Sequence, residues 1–444
     1  MTAARGDKDP LYGAETRKAI DNFHLSGEPM PTAVVRWLAR IKAAAATVNG
    51  RLGELDPAVA DRIAAAAQRV AEGEFDDQFP IDVFQTGSGT STNMNANEVI
   101  GTLAGAHPND DVNHGQSSND VMPSAVHLAA LDLVVRELLP ALDQLTTALA
   151  AKASEFAGVV KAGRTHLMDA VPVTLGDEFG GYASQVRLGI DRVTATLDRV
   201  GQIPLGGTAT GTGLNTHPDF AAGVRELLAE ESGLTIAVPA DRFEAQASRD
   251  ALVELSGALK AVAVSLTKIA QDIVLMSSGP RTGFREIQLP ELQKGSSIMP
   301  GKVNPVIPEV VLQVCAQVIG NDTTITVAAM QGQLELNTRV PVIARNLLSS
   351  ITLLTNASAA FAEKCIAGIE VDEDGARQSA EGTLAAATAL NPLLGYDKVA
   401  ELVKEAATSG RPLREVALAA GVDEKAYDEH LDLARIAAGN RSSR

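Results

Sequence analysis

Two long stripes of apolar residues predict the main helices of this chain. Within each stripe the apolar positions alternate steps of three and four residues, which places them on one face of an α-helix. One stripe runs from Leu131 to Leu149, and the other runs from Leu252 to Met276. Pro140 lies inside the first stripe. It is expected to kink or divide that helix, because proline lacks the backbone N–H that an interior turn needs.

Further helices are predicted before and after these stripes. Residues 54–73 form one amphipathic pattern, and residues 306–329 and 342–365 form two more. The segment Val306–Val318 is apolar over more than one face, and a helix of that kind needs burial on all sides. This favours a helical bundle shared between subunits, with an ordinary large helical monomer as the alternative.

The helical pattern shortens and becomes more charged near the C-terminal end of the chain. Short helices are predicted over 397–408, 412–421 and 425–438. We therefore expect an all-α (mainly α) protein. Its three domains are predicted to be an N-terminal domain over 1–115, a central helical-bundle domain over 116–370, and a small C-terminal helical domain over 371–444.

The net charge of −17 excludes some classes of partner. Nucleic-acid binding needs clustered Lys and Arg, and an acidic chain is repelled by anionic membrane surfaces. A small dianion remains a possible ligand, because local donors rather than total charge decide its binding.

The cysteines and the N-terminal residues indicate a cytoplasmic protein. Cys315 and Cys365 lie in apolar, helix-like runs, which favours buried thiols over a disulfide or a metal site. Residues 1–9 are charged and polar, with no hydrophobic signal region. No uncharged apolar run reaches transmembrane length. We therefore expect a soluble protein of the cytoplasm.

Four polar segments interrupt the apolar helical pattern: Gly87–Asn95, His107–Asp120, Gly163–Ala170 and Gly295–Pro305. Each is predicted to end where a long apolar helix begins. Helix N-termini present free N–H groups and a positive dipole end, which suit carboxylates. Ser, Thr and Asn at such places also serve as helix caps. For each of the first three segments taken singly, capping is favoured over ligand binding.

The segment Gly295–Pro305 has the most specific pattern. It combines two adjacent hydroxyls, Ser296 and Ser297, with two glycines, Lys302 and Asn304. Glycine lets backbone N–H groups approach an anion closely, and proline limits the freedom of the loop. Such a loop can hold a serine oxygen beside several donors and a cation. Its composition alone also fits a simple connection.

All four segments resemble, nearly residue for residue, blocks of the class II fumarases in the fumarase/aspartase superfamily. Gly206–Asn215 and Phe243–Ala247 look like two further blocks of that family. The resemblance covers roughly residues 11 to 440. It implies the family's three-domain fold with a central bundle of long helices. It also implies a homotetramer whose active sites are shared between subunits.

The resemblance is closer to fumarases than to aspartate ammonia-lyases. At four places this chain has serine or glycine where aspartases tend to have alanine or threonine: Ser88, Ser118, Gly207 and Gly301. Parts of the stretch from Glu286 to Leu334 read closer to aspartases. The implied reaction is reversible hydration of fumarate to (S)-malate, by anti addition and elimination through an aci-carboxylate. The alternative is an ammonia-lyase acting on aspartate or a related amino dicarboxylate.

The resemblance implies four catalytic residues, namely Ser296, Lys302, His166 and Glu309, with Lys302 as a cation that stabilises the developing charge. Ser296, six residues before Lys302, corresponds to the base that takes a proton from carbon, and the neighbouring Ser297 is the alternative. His166 would handle the water that leaves or attacks, with Glu309 as its orienting carboxylate. Without the resemblance, His166 reads equally well as a structural histidine, and Glu309 as a partner of a helix dipole.

The resemblance also implies residues that bind and orient the two substrate carboxylates: Ser88, Thr90, Ser117, Ser118, Asn119, Thr165 and Asn304. A second dicarboxylate spot, away from the chemistry, matches His107, Asn109 and Asp110. The arginine that often precedes this spot in the family is absent here. Arg339 is another departure, in a strip that lies near the active site in relatives. It is expected to retune the substrate or to mark a specialised paralogue.

No cofactor is expected. No His, Cys and carboxylate set has the spacing of metal ligands, and no Gly-rich nucleotide fingerprint follows a strand. The expected partners are fumarate or malate and further copies of the chain, with no nucleic acid and no membrane. The reaction belongs to the tricarboxylic acid cycle. A non-enzymatic alternative is a scaffold recruited as a lens-type structural protein, and the presence of Ser296, Lys302 and His166 argues against it.

Overall fold

The structure is a computed structural model that describes residues Pro10–Gly439. The charged N-terminal segment 1–9 and residues 440–444 lie outside the described residues. The described chain is mainly helical, as predicted. The chain divides into two compact units. The predicted boundaries of three domains stay a prediction.

The first unit comprises residues up to Pro140 together with Gly189–Ala263 and Ala316–Thr355, and the second comprises Ala141–Leu188, Val264–Cys315 and the residues from Asn356 on. The α-helices, in chain order, are Ala14–Asn22, Thr32–Leu52, Pro57–Ala71, Thr90–Ala104, Ser118–Leu133, Leu139–Glu155, Leu175–Thr194, Leu197–Val200, Phe220–Ser232, Arg242–Ala247, Asp250–Met276, Val306–Ala329, Val340–Lys364, Glu373–Gly382, Asn391–Leu394, Tyr396–Ser409, Leu413–Ala419, Glu424–His430 and Leu433–Ala438.

The remaining elements are short. Pro108–Val112 and Val134–Leu138 are π-helical turns. The 3-10 turns are Asp76–Gln78, Ile366–Gly368 and Leu384–Leu390. Two antiparallel strand pairs are formed by Val160–Thr165 with Met168–Thr174 and by Ile287–Gln288 with Glu370–Val371.

The long helices lie where the apolar stripes predict them. The helix predicted over 306–329 has those bounds in the structure, and the stripe from Leu252 to Met276 lies on one helix, Asp250–Met276. The stripe around Pro140 is divided, as expected. A π-helical turn separates the two α-helices just before the proline, which relieves the lost hydrogen bond.

The prediction of a single C-terminal helix over 425–438 is wrong. The structure has two short helices there, Glu424–His430 and Leu433–Ala438. The carboxylate of Asp432 accepts hydrogen bonds of 3.0 and 3.1 Å from two backbone N–H groups of the second helix. An aspartate that caps a new helix in this way ends the preceding one.

In the first unit the helix Thr32–Leu52 packs chiefly against Pro57–Ala71, Ser118–Leu133 and Phe220–Ser232. The long helices of this unit are joined by buried polar contacts. Asp322 accepts hydrogen bonds from Ser256 at 2.7 Å and from Lys260 at 2.6 Å. A further hydrogen bond of 3.0 Å runs from the amide of Asn321 to the Ser350 hydroxyl.

In the second unit a small cluster of C-terminal helices has its own apolar core, which includes Leu390, Leu402 and Val416. The long helices of this unit are linked by a hydrogen bond of 2.8 Å from the Tyr182 hydroxyl to Asp272. This unit also holds both strand pairs, and one of them carries the predicted catalytic histidine.

The helix Val306–Ala329 leaves an apolar face uncovered. Val311 and Val318 are buried, but Val310 and Val327 are 45% and 47% exposed. The sequence predicts that this helix is buried on all sides, and a single chain does not bury it completely. By length and composition this helix could also cross a membrane, a test that the core helix of a soluble protein passes equally well.

The predicted state of the two cysteines is confirmed. Cys315 and Cys365 are both free and buried. Burial raises the pKa of the Cys365 thiol to about 12, so this thiol stays protonated at neutral pH.

Candidate active site

The hydroxyl of Ser296 lies in a small nest of backbone donors. Its Oγ accepts hydrogen bonds from the N–H groups of Ile298 at 3.2 Å and Met299 at 3.1 Å. Donors aimed at an oxygen stabilise its negatively charged form. The neighbouring Ser297 has no such donors among the described residues, and its side chain is exposed. The geometry therefore distinguishes the two serines that the sequence leaves side by side.

The loop that carries Ser296 is closed by its own backbone. The N–H of Gly295 donates to the Lys302 carbonyl at 3.0 Å, and the Asn304 amide donates to the Gly295 carbonyl at 2.6 Å. A Cβ atom at position 295 would lie 2.1 Å from the Lys302 carbonyl oxygen, so only glycine allows this closure. The two arms of the loop thus lie side by side, with Ser296 on one arm and Lys302 on the other.

His166 lies at the tip of a β-hairpin. It and Leu167 form the two-residue turn between the strands Val160–Thr165 and Met168–Thr174, and both have positive φ, 57° and 58°. This is the backbone of a type I′ turn, which normally carries Asn or Gly. Residues with large side chains in this region store backbone strain, which is common at functional sites. The sequence predicts that Gly163–Ala170 ends where a helix begins. That prediction is wrong, because the chain turns at His166 and continues as the strand Met168–Thr174.

A buried carboxylate anchors the hairpin. Glu286 is fully buried and accepts a hydrogen bond of 2.7 Å from Arg164 and one of 3.0 Å from the Ser379 hydroxyl. The Nζ atom of Lys161 lies 3.1 Å from its second oxygen. The guanidinium of Arg164 also stacks on the ring of Phe284, 4.3 Å from its centroid. Arg164, Lys161 and a hydroxyl thus surround the buried charge, and Lys161 is shared with Glu178, whose carboxylate lies 2.6 Å from its Nζ.

A strand irregularity allows both cations to reach Glu286. Successive residues of a strand point to opposite faces, so Lys161 and Arg164, three positions apart, should diverge. The register shifts between Ala162 and Arg164, as in a β-bulge, and this brings the two side chains to the same side. The sequence carries no signal for this role of Glu286, because nothing local links it to residues more than a hundred positions earlier.

In the first unit the segment Gly87–Asn95 turns into a helix that begins at Thr90. Gly89 has a φ of 78°, a conformation that favours glycine, and this sharp turn brings the Ser88 and Thr90 hydroxyls to 2.7 Å from each other. The two predicted carboxylate-binding hydroxyls are therefore adjacent at a helix N-terminus.

The next predicted binding residues lie at the start of the helix Ser118–Leu133. Ser117 caps this helix, because its hydroxyl accepts the N–H of Asn119 at 3.2 Å. The Ser118 hydroxyl accepts from Asn93 at 3.1 Å, which ties it to the first polar segment. The amide of Asn119 donates to the Ala209 carbonyl at 3.0 Å. Capping thus accounts for Ser117, while Ser118 and Asn119 join three polar segments of the first unit.

Asp120 joins the start of the helix Ser118–Leu133 to the segment Gly206–Asn215. It was not singled out from the sequence. Its carboxylate accepts backbone N–H groups from Ser117 at 2.9 Å and from Gly206 and Thr208, both at 3.0 Å. The side chain is fully buried, and burial raises its pKa to about 6 against the opposing effect of these hydrogen bonds.

Lys42 is a second buried charge, and it contacts the segment His107–Asp120. Its Nζ donates to the side-chain oxygens of Asn113 at 3.3 Å and Gln116 at 3.2 Å. Burial lowers its pKa to about 7, and the nearby Asp120 opposes that shift. The sequence does carry a signal for it, since Lys42 is a lone charge on the apolar face of the helix Thr32–Leu52.

The residues of the predicted second dicarboxylate spot form a compact turn. Nδ1 of His107 accepts the backbone N–H of Asp110 at 3.0 Å and so caps the turn Pro108–Val112. The Asp110 carboxylate lies 3.2 Å from the same nitrogen. A nitrogen that accepts an N–H carries no proton to share with a carboxylate, so we favour capping over an ion pair. Asn109 is exposed, and binding at this spot stays a prediction.

Polar contacts do not link the four predicted catalytic side chains to one another in the described chain. Within Pro10–Gly439, no hydrogen bond or ion pair joins His166, Ser296, Lys302 and Glu309 to one another. The side chains of Lys302 and Glu309 are exposed, and Thr165 is exposed at the end of its strand. The described part of the chain also holds no group of three or more His, Cys, Asp or Glu residues arranged to bind a metal.

Comparison with known proteins identifies close relatives. Residues 3–320 match the model of a family described as Lyase, and residues 387–438 match one described as Fumarase C C-terminus. A fumarate hydratase class II of Corynebacterium efficiens is 54% identical over 430 residues, covering 95% of this chain and 91% of that protein. One of Mycobacterium tuberculosis is 53% identical over 439 residues, covering 97% of this chain and 93% of that protein.

A solved structure has the same fold. The crystal structure of a class II fumarase from Schistosoma mansoni matches this chain with a TM-score of 0.95 and 37% sequence identity. The match covers 97% of this chain and 96% of that one. The similarity therefore extends over the whole helical architecture, beyond the polar segments.

Proposed function

The chain belongs to the fumarase branch of this lyase family, and we propose on that basis that it is a class II fumarate hydratase, which interconverts fumarate and (S)-malate. The observation that carries the proposal is an identity above 50% over nearly the full length of two fumarate hydratases. The polar segments on which the chemistry depends are present in this chain, and both Ser296 and His166 occupy special local geometries.

When malate is dehydrated to fumarate, the first step removes a proton from the carbon beside a carboxylate. We assign this step to Ser296, whose oxygen accepts two backbone N–H groups that favour its alkoxide form. As the proton leaves, negative charge moves onto the carboxylate oxygens and forms an aci-carboxylate. Lys302 and Asn304, on the other arm of the loop, would supply a cation and an amide to that charge.

The second step breaks the carbon–oxygen bond. His166 would donate a proton to the departing hydroxyl, so that it leaves as water while the electron pair of the aci-carboxylate forms the double bond. In the hydration direction the same imidazole would take a proton from the attacking water. Glu309 is the proposed partner that orients this imidazole.

The substrate is held by its two carboxylates. The hydroxyls of Ser88, Thr90, Ser118 and Thr165 and the amide of Asn119 would bind and orient them, with Ser117 shaping the helix start. The adjacency of Ser88 and Thr90, 2.7 Å apart at a helix N-terminus, supports this role.

The competing function is an ammonia-lyase, in which ammonia replaces water as the leaving group. Proton NMR of the purified protein with fumarate, with and without excess ammonium, separates the two. Malate in both samples is the expected result. Aspartate that appears only with ammonium would overturn the proposal.

We also propose that the chain acts as a homotetramer with shared active sites, in the cytoplasm and in the tricarboxylic acid cycle. Two observations support shared sites: the uncovered apolar face of Val306–Ala329, and the absence of hydrogen bonds and ion pairs among the predicted catalytic side chains within the described residues of one chain. A mixture of subunits carrying His166→Asn and Ser118→Ala tests this. Recovered activity in mixed oligomers is expected, and no recovery in a confirmed mixed oligomer would contradict it.

A further inference from the structure

Arg339 carries a charge that the described chain leaves unpaired. Its Nη1 donates to the carbonyl and to the hydroxyl of Thr338, at 3.0 and 3.1 Å. Both acceptors are neutral, and no carboxylate among residues Pro10–Gly439 forms an ion pair with this guanidinium. The side chain is exposed. It is therefore available to an anion from outside its own chain segment.

The backbone at Arg339 is held rigidly. Asn337 is fully buried, and its amide donates to the Ala328 and Ala329 carbonyls, both at 3.1 Å. Its side-chain oxygen accepts the N–H of Arg339 at 2.8 Å. These contacts fix the position from which the guanidinium extends, so its charge stays in one region of the surface.

That region is the start of the segment Gly87–Asn95. The N–H of Val340 donates to the Gly87 carbonyl at 3.0 Å. A Cβ atom at position 87 would lie 2.1 Å from the Thr338 carbonyl oxygen, which is the atom that Arg339 binds. Covalent geometry then limits the distance from the Arg339 Nη1 to the Gly87 Cα to no more than about 7 Å. Ser88 follows directly in the chain.

The electrostatics of the position favour an anion. Arg339 immediately precedes the helix Val340–Lys364, whose N-terminal end carries partial positive charge. A cation is unfavourable at that end of a helix, and a carboxylate beside it relieves the repulsion. The Ser88 and Thr90 hydroxyls, which follow Gly87 in the chain and lie 2.7 Å from each other, supply hydrogen-bond donors but no charge of their own.

We propose that Arg339 is a specificity-determining residue that binds the carboxylate held by Ser88 and Thr90. This inference rests on the proposed function and extends it. A guanidinium gains more from an ionised carboxylate than from a neutral amide or ester. Arg339 therefore makes the site select dicarboxylates over their half-amides and half-esters.

The test compares Arg339→Gln with Arg339→Lys and with a matched control, Arg192→Gln, which removes an exposed charge elsewhere in the same unit. KM and kcat are measured for fumarate and for its monoamide. Arg339→Gln is expected to raise KM for fumarate about tenfold, as for a lost charged hydrogen bond. The same variant is expected to leave kcat for fumarate, and both KM and kcat for the monoamide, nearly unchanged. Arg339→Lys recovers part of the loss, and Arg192→Gln behaves as the wild type.

An unchanged KM for fumarate in Arg339→Gln, with active wild-type protein, overturns the inference and leaves the proposed function intact. Light scattering of each variant gives its oligomeric state. A raised KM that accompanies dissociation would assign Arg339 to assembly and also overturn the inference. If the wild type makes no malate, the proposed function fails instead. Calorimetric titration of fumarate into wild type and Arg339→Gln then decides the binding role alone, and equal affinities overturn it.

Discussion

The guanidinium of Arg164 donates a 2.7 Å hydrogen bond to the buried carboxylate of Glu286. His166 lies two residues beyond Arg164, and Glu286 directly precedes the strand Ile287–Gln288. The hydrogen bond therefore ties the turn that presents the histidine to the small strand pair of the same unit. A strained turn keeps its shape only when its surroundings hold it, and this contact restrains the strand that leads to it.

Replacing Glu286 by Gln is expected to destabilise the protein by about 3–5 kcal/mol, because Arg164 would keep its charge without its buried anionic partner, while Lys161 would retain Glu178 at 2.6 Å. Urea unfolding measures the loss. Glu363→Gln is the matched control, since Glu363 is exposed and its carboxylate bonds only to Gln144, at 2.8 Å, among the residues that the structure describes. Equal unfolding midpoints for the two variants would contradict the role of Glu286.

Substitution of the two adjacent serines should separate their roles. Ser296→Ala is expected to lower kcat by roughly 10²–10⁴-fold, the usual contribution of a positioned base. Ser297→Ala removes an exposed hydroxyl that accepts no backbone N–H from Pro10–Gly439, and it should keep kcat within about twofold. Steady-state rates of malate dehydration provide the measurement. A larger loss for Ser297→Ala would move the base to the neighbouring residue.

His166→Asn should remove the proton-transfer group and keep the turn, because asparagine tolerates positive φ better than most residues. The expected loss in kcat is again roughly 10²–10⁴-fold. Leu167→Asn is the control at the other turn position, whose φ of 58° is nearly the same. It should fold and retain activity. Comparable losses in both variants would indicate that the turn matters only for folding or assembly.

His127 should make the free energy of unfolding depend on pH. Burial, and secondarily the Arg249 guanidinium, lower its pKa from 6.5 to about 4. Between those pH values the unfolded chain binds a proton that the folded chain does not. The contribution of His127 to the free energy of unfolding is therefore lost as the pH falls from about 6.5 to about 4.

The variant His127→Asn tests this and can retain the 2.9 Å contact with the Val200 carbonyl. The fall in the free energy of unfolding between pH 7 and pH 5 should be smaller in the variant by about 2 kcal/mol. Denaturant titrations at the two pH values give the difference. The same fall in both proteins would show that His127 does not titrate in this window.

Much of the helical architecture follows from periodicity, because a long helix repeats its apolar face many times. Val306–Ala329 has its predicted bounds for this reason. Short elements give weaker signals, and two predictions failed there. Asp432 divides the last predicted helix by capping, and Gly163–Ala170 forms a hairpin because positive φ at two successive residues reverses the chain.

The sequence by itself determined the family, the reaction that the family implies and the residue types that the chemistry needs, because these lie in short contiguous segments such as Gly295–Pro305. Only the tertiary structure decided which groups hold those segments in place. Arg164 and Glu286 are 122 residues apart, and Asp120 reaches Thr208 across 88. Buried charges must find their partners in space, and no local periodicity encodes a pairing over such distances.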